Sequence, residues 1–150
     1  MIRQAVGAII FHQAEILLVH KVKISTIRDM QIQGEWDFPK GGIEHNDKNL
    51  EAALLRELME ETGSVKYKVL EQLDEKIIFH FAEEFTHKTG YKMQETTMFV
   101  IEYTGDRSDL MPQDNEIRAI EFFSPNETLA KLTHQDTKLF FEKALKTLTI

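Results

Sequence analysis

The chain contains no cysteine, three prolines and one tryptophan. Without cysteine there is no disulfide and no thiolate metal ligand, so a bound metal must be held by oxygen or nitrogen. No apolar run approaches the roughly 20 residues needed to span a bilayer. The opening Met1-Ile2-Arg3-Gln4 lacks the apolar stretch of a secretory signal. The expectation is a cytoplasmic protein with no membrane partner. Basic residues are also scarce: 18 Lys and Arg stand against 25 Asp and Glu, a formal charge of −7. That balance excludes an extended nucleic-acid surface held by phosphate attraction. It leaves room for a phosphorylated small molecule, because metal ions between an acidic site and a polyanion reverse the local sign.

What is present suits one folded unit. The 150 residues are 42% hydrophobic and 29% charged, enough to bury a core. No repeat, low-complexity tract or linker appears, so residues 1–150 read as a single domain. Ala5 to Phe11 and Glu15 to Val22 read as paired strands around a polar His12-Gln13-Ala14 break. Lys23 to Gly34 reads as a loop, Trp36 to Phe38 as a short strand, and Lys40 to Asp47 as a glycine-containing loop. Asn49 to Thr62 is the clearest helix, stopped by Gly63. Its Ala52, Leu55, Leu58 and Met59 form a stripe expected to face a sheet. Val65 to Leu73, Lys76 to Phe85, Thr96 to Tyr103 and Ile117 to Phe123 read as strands, with a hairpin turn near Thr89-Gly90. Ser124, Pro125 and Glu127 spell a capping box, and a last helix spans Asp136 to Leu148. Strands, helix, strands, helices predict an α/β fold, a mixed β-sheet flanked by helices on both sides.

The chemistry concentrates in Arg56-Glu57-Leu58-Met59-Glu60-Glu61-Thr62-Gly63. At about 100° per residue, Glu57, Glu60 and Glu61 share an arc of roughly 100° on one helix edge. Like charges at that spacing repel, and a cation turns the repulsion into ligation. Clustered carboxylates suit Mg²⁺ or Mn²⁺. A solvated acidic face is the alternative reading for an arbitrary E-x-x-E-E.

The residues upstream decide between them. Gly41-Gly42 through Gly63, led by Trp36-Asp37-Phe38-Pro39-Lys40, resembles the signature G-x5-E-x7-R-E-U-x-E-E-x-G-U of the Nudix hydrolases, where U is bulky and apolar. Gly42, Arg56, Glu57, Leu58, Glu60, Glu61 and Gly63 match. Two positions depart. The first Glu of the pattern falls on Lys48, unless the loop carries one extra residue, Gly41 begins the box and Asp47 takes the acid's place. Ser64 stands where an apolar residue is usual. Glu51, one turn into the helix, is a weaker substitute for the missing acid.

The resemblance implies a Nudix-type α/β/α sandwich and hydrolysis of a phosphoanhydride in a nucleoside-diphosphate-linked substrate by metal-activated water. More than one Mg²⁺ or Mn²⁺ ion is implied, on Glu57, Glu60, Glu61 and the carbonyl of Gly41. Arg56 would orient a ligand carboxylate through its fork geometry. Glu57, Glu60, Arg56 and Glu116 are the candidate catalytic residues, Glu116 as the later acid that accepts the water's proton, in competition with Glu95, Glu102 and Glu121. Arg3, Lys40 and Lys23 are the candidate phosphate-binding cations. Trp36, Phe38, Tyr91 and Phe81 are unranked candidates for stacking on the base. The chain is not expected to carry the N-terminal dimerisation segment of many sugar-nucleotide pyrophosphatases. It looks most like the branch acting on dinucleoside polyphosphates or RNA 5′ ends. A nucleotide-pool (d)NTP pyrophosphohydrolase is the alternative, and a non-catalytic nucleotide sensor is a further one.

Overall fold

The computed structural model describes residues 1–22, 34–113 and 115–148. Its frame follows from one strand. Ala5, Val6, Ala8, Ile9 and Ile10 have no solvent exposure, which marks a strand covered on both faces. This is β1 (Ile2–His12), and it pairs with three others. β2 (Glu15–Lys21) runs antiparallel to it, across a turn in which Gln13 and Ala14 both take positive φ, 53° and 64°. β4 (Lys40–Gly42) lies antiparallel against Ala5 to Gly7, and the long β7 (Met93–Tyr103) runs parallel from Ile2 to Phe11. β3 (Glu35–Asp37) and β8 (Ile117–Phe123) pair with β2, while β5 (Tyr67–Gln72) and β6 (Ile77–His80) pair with β7. The eight strands form one mixed sheet.

Helices cover both faces, as expected. α1 (Leu50–Thr62) packs Ala53, Leu54 and Leu58 against Val6, Ala8, Val19 and Ile101. On the other face α3 (Pro125–Lys131) and α4 (Gln135–Leu145) close over Ile9, Leu18, Phe38 and Met98 with Leu132, Phe140 and Phe141. The helix signals were legible. Asn49 caps α1 by accepting from Ala52 N–H, Gly63 ends it at φ 78°, and the Ser124–Glu127 capping box is present at α3.

Three readings need correction. The segment Lys76 to Phe85 is not one strand: β6 ends at His80, and α2 (Glu83–Thr89) follows before the chain returns into β7. The loop read from Lys40 to Asp47 begins as the short strand β4. The buried stripe of α1 is also rotated from the expected one. Leu54 and Leu58 face the sheet, while Leu55 and Met59 are 37% and 48% exposed. Both stripes satisfy a 3.6-residue period, so the sequence pattern cannot choose between them. The observed rotation carries Glu57 towards β4 and buries Glu61, which is 8% exposed. The candidate Lys23 and the loop to Gln33 lie outside the described residues.

Candidate active site

Arg56 organises the site. Its Nε and Nη2 donate to the two oxygens of Asp47 at 2.9 and 2.8 Å, and Nη2 also donates to the Gly42 carbonyl at 3.0 Å. Nη1 donates to Glu57 at 2.9 Å and to Glu60 at 3.0 and 3.3 Å, with Glu44 at 3.3 Å. The departure at Lys48 thereby has a geometric answer. Asp47 fills the acid's role one residue earlier, Lys48 points to solvent, and Glu51 is not among Arg56's partners. The Arg56 fork beside Asp47 holds that carboxyl at about 2. Asp47 first, then Glu57, keeps Arg56 charged more firmly than an isolated guanidinium, against the opposing effect of burial.

Glu57 sits closest to β4. A Cβ placed on Gly41 would lie 1.9 Å from the carboxyl carbon of Glu57, so that close approach exists because residue 41 has no side chain. Burial pushes the Glu57 carboxyl up, and the Arg56 contact only partly offsets it. Glu60 faces solvent, with 46% of its side chain exposed. One turn beyond Glu57, about 6 Å along the axis, Glu61 turns inward.

Glu61 belongs to a second electrostatic group that the motif does not contain. Lys21, at the end of β2, is half-buried. Burial works against its charge, but Glu61, Asp37, Glu116 and Glu35 outweigh it and raise its pKa. Glu116 is brought here by the sheet: its carbonyl accepts from Val22 N–H at 2.7 Å, and Lys21 pairs with the adjacent Ile117. Sequence reading missed Lys21 because a lysine at a strand end carries no motif; its carboxylate neighbours are brought to it by β8 and α1. The Ser64 departure is likewise structural. Ser64 is 1% exposed and donates to Asp109 at 2.6 Å, tying the residues after β7 to the end of α1.

A cleft of about 490 Å³ opens beside Glu57, lined by Ile2, Arg3, Gly42, Glu44, His45 and Tyr91 among others. Arg3 reaches across it towards Gly42 and donates to the Gln94 side-chain carbonyl. Lys40 does not line this cleft; it is paired with Asp37 at 3.2 Å and largely enclosed. Of the aromatic candidates, Tyr91 lines the cleft. Phe38 is fully buried, Trp36 packs edge-on against Phe123, and Phe81 stacks on Phe85 at 4.4 Å.

Among the described residues no three Asp, Glu or His side chains stand gathered as a ready metal cage. The donor chemistry nevertheless fits a hard cation. Four carboxylates, those of Glu44, Asp47, Glu57 and Glu60, surround the single guanidinium of Arg56. The unpaired excess is negative, all of it oxygen, and the Gly41 backbone lies against Glu57.

A mixed sheet between helices, with an arginine-gathered carboxylate edge beside a glycine strand, is the α/β arrangement the motif implied. The NUDIX domain model matches residues 1–143. The chain belongs to the Nudix hydrolase family. It is 28% identical over 122 residues to an RNA pyrophosphohydrolase of Bartonella quintana, covering 76% of this chain and 70% of that one. It is 32% identical over 105 residues to the RNA pyrophosphohydrolase of Helicobacter pylori strain G27, covering 69% and 67%. Among solved structures it resembles a C. elegans Ap4A hydrolase (TM-score 0.68, 15% identity, 97% and 96% covered). It also resembles the E. coli dihydroneopterin triphosphate pyrophosphohydrolase (TM-score 0.72, 14% identity, 97% and 96% covered). At these identities the structural likeness speaks for the fold. No described helix is long and apolar enough to cross a membrane.

Proposed function

We infer that this protein is a divalent-metal-dependent pyrophosphohydrolase of nucleoside polyphosphates, acting on an RNA 5′-triphosphate end or a dinucleoside polyphosphate. The observation that carries it is the Arg56 fork on Asp47, which holds Glu57 against the Gly41 backbone at the mouth of a cleft that also contains Arg3. The relatives named RNA pyrophosphohydrolase support the RNA 5′ end. A net charge of −7 suits recognition of the first nucleotides at that end, not of a long backbone.

Gly41, Glu57, Glu60 and Glu61 would hold Mg²⁺ or Mn²⁺. Bound there, such ions supply charge neutralisation on the phosphates and a more acidic water. The residues do the rest. Arg56 orients Glu57 and Glu60 so that they need not reorganise during the reaction. Glu116, with its position fixed by the β2–β8 pairing, accepts the proton of the attacking water. Arg3 binds the phosphates that are not cleaved.

The test is a turnover panel with Mg²⁺ or Mn²⁺: 5′-triphosphorylated RNA, dinucleoside polyphosphates, nucleoside triphosphates and nucleotide sugars, beside Glu57→Gln and Glu60→Gln. Release of pyrophosphate or nucleotide from the first two classes, abolished in both variants, is expected. Preference for free (d)NTPs would move the protein to the nucleotide-pool reading. Equal activity in both variants would overturn the proposal.

A further inference from the structure

β5 is an open edge of the sheet. Among the described residues it pairs with β7 on one side and with no strand on the other, which leaves backbone N–H and C=O groups without ladder partners. The edge is held firmly. Lys66 N–H donates to Ser64 Oγ at 3.0 Å, Thr104 N–H donates to the Lys66 carbonyl at 2.9 Å, and the Thr62 and Tyr67 hydroxyls share a hydrogen bond at 2.5 Å. Leu70, at the middle of the edge, is 51% exposed. It also lines a cleft of about 820 Å³ with Phe11, Glu71, Val100, Glu102 and Leu148. This cleft lies at the far end of β1 from Arg3, about eight residues of strand or roughly 26 Å away.

The charges along this edge are sorted. Lys66 and Lys68 stand in its first half, Glu71 and Asp74 in or just beyond its second, and all four are exposed. Lys68 and Glu71 form no ion pair among the described residues. A separation of three would put these two on opposite faces of a regular strand. Here Lys68 lies opposite Glu102 and Glu71 opposite Val100, two apart on β7, because the register shifts at Leu70. Lys68 and Glu71 therefore share a face. Bulges and edge lysines ordinarily guard an open strand. A guard of one sign repels its own copy in either direction. A strand with its signs split by halves repels its copy in parallel and attracts it in antiparallel.

We propose that this edge is where two copies of the chain associate, β5 against β5, antiparallel about a two-fold axis near Leu70, with Lys68 of each copy on Glu71 of the other. An axis perpendicular to the sheet preserves its faces, so both pairs form on one side of the joined sheet. Leu70 of each copy is covered by the other, and the open ladder groups gain partners. The cleft beside Glu57 lies at the opposite end of β1 and stays open in both copies.

The experiment is sedimentation velocity of the full chain from about 1 to about 100 µM. Wild type is expected to pass from monomer to dimer across that range. Lys68→Glu and Glu71→Lys each set like charges face to face twice per dimer. Each alone is expected to raise the dissociation constant more than about tenfold. Mixed in equal amounts, the two variants are expected to associate at least as tightly as wild type, because two glutamates of one chain then meet two lysines of the other. The double variant Lys68→Glu, Glu71→Lys restores both pairs and is expected to dimerise like wild type, which also shows that neither reversal disrupts the strand. A wild type that stays monomeric up to about 100 µM, a dimer that survives both reversals, or single variants that fail to associate when mixed would each overturn the inference.

Discussion

Asp47 takes both Nε and Nη2 of Arg56, at 2.9 and 2.8 Å, from nine residues upstream. This two-point grip fixes the guanidinium plane, which then has Nη1 free to reach Glu57 and Glu60. The loop before α1 and the working edge of α1 are thus joined through one side chain.

Removing the grip has a defined pH signature. The Asp47 carboxyl is held at about 2 against an ordinary 3.8. Its folded value is depressed, so its contribution to stability is complete above about pH 4 and is lost as the pH falls through about 2. Asp47→Asn is expected to be less stable than wild type at neutral pH and to show a shallower loss between about pH 5 and 2, measured by urea unfolding. Lys48→Ala is expected to change neither. An unaltered acid limb in Asp47→Asn would contradict this assignment.

The two glycines of β4 predict different kinetic defects. A Cβ at Gly41 would meet the Glu57 carboxyl at 1.9 Å, whereas one at Gly42 would meet the flexible end of Arg3 at 2.4 Å. Gly41→Ala is expected to displace Glu57 and lower kcat about tenfold to a hundredfold. Gly42→Ala is expected mainly to raise KM. Steady-state kinetics on any cleaved substrate checks the split, and the same kcat loss in both variants would refute it.

Lys21 is a stability prediction. It stands half-buried among Glu61, Asp37, Glu116 and Glu35, and leaving such partners without their cation costs about 1–3 kcal/mol. Lys21→Met should unfold at markedly lower denaturant, with Lys21→Arg milder. Its folded pKa is raised, so its contribution is complete below the unfolded value of 10.5 and fades as the pH rises through the folded one. A Lys21→Met variant as stable as wild type at neutral pH would show that the group is solvated.

Glu57 should have opposite effects with and without metal. Burial raises its pKa above 4.5. Its contribution to stability is therefore complete below about pH 4.5 and is lost as the pH rises through the folded value. In chelator at neutral pH, Glu57→Gln is expected to melt no lower than wild type. Millimolar Mg²⁺ should raise the wild-type midpoint and not that of the variant. Equal stabilisation of both by Mg²⁺ would place the ion elsewhere.

The sequence by itself determined the local matters. The helix Leu50–Thr62 is bounded by Asn49 and Gly63, the capping box at Ser124 is spelled out, and the run Arg56 to Gly63 together with Gly41-Gly42 upstream carries the resemblance to the family. Caps, periods and short motifs act over a few positions, so they can be read without coordinates. The tertiary structure decided whatever depended on rotation or on distant partners. It turned α1 so that Leu55 and Met59 face outward while Glu61 is buried, since packing on the sheet selects among stripes that periodicity leaves equal. It chose Asp47 over Lys48, because a loop's register is set by which acid reaches Arg56. It brought Lys21 near Glu116, 95 residues away, because strand pairing brings together groups whose separation along the chain carries no signal.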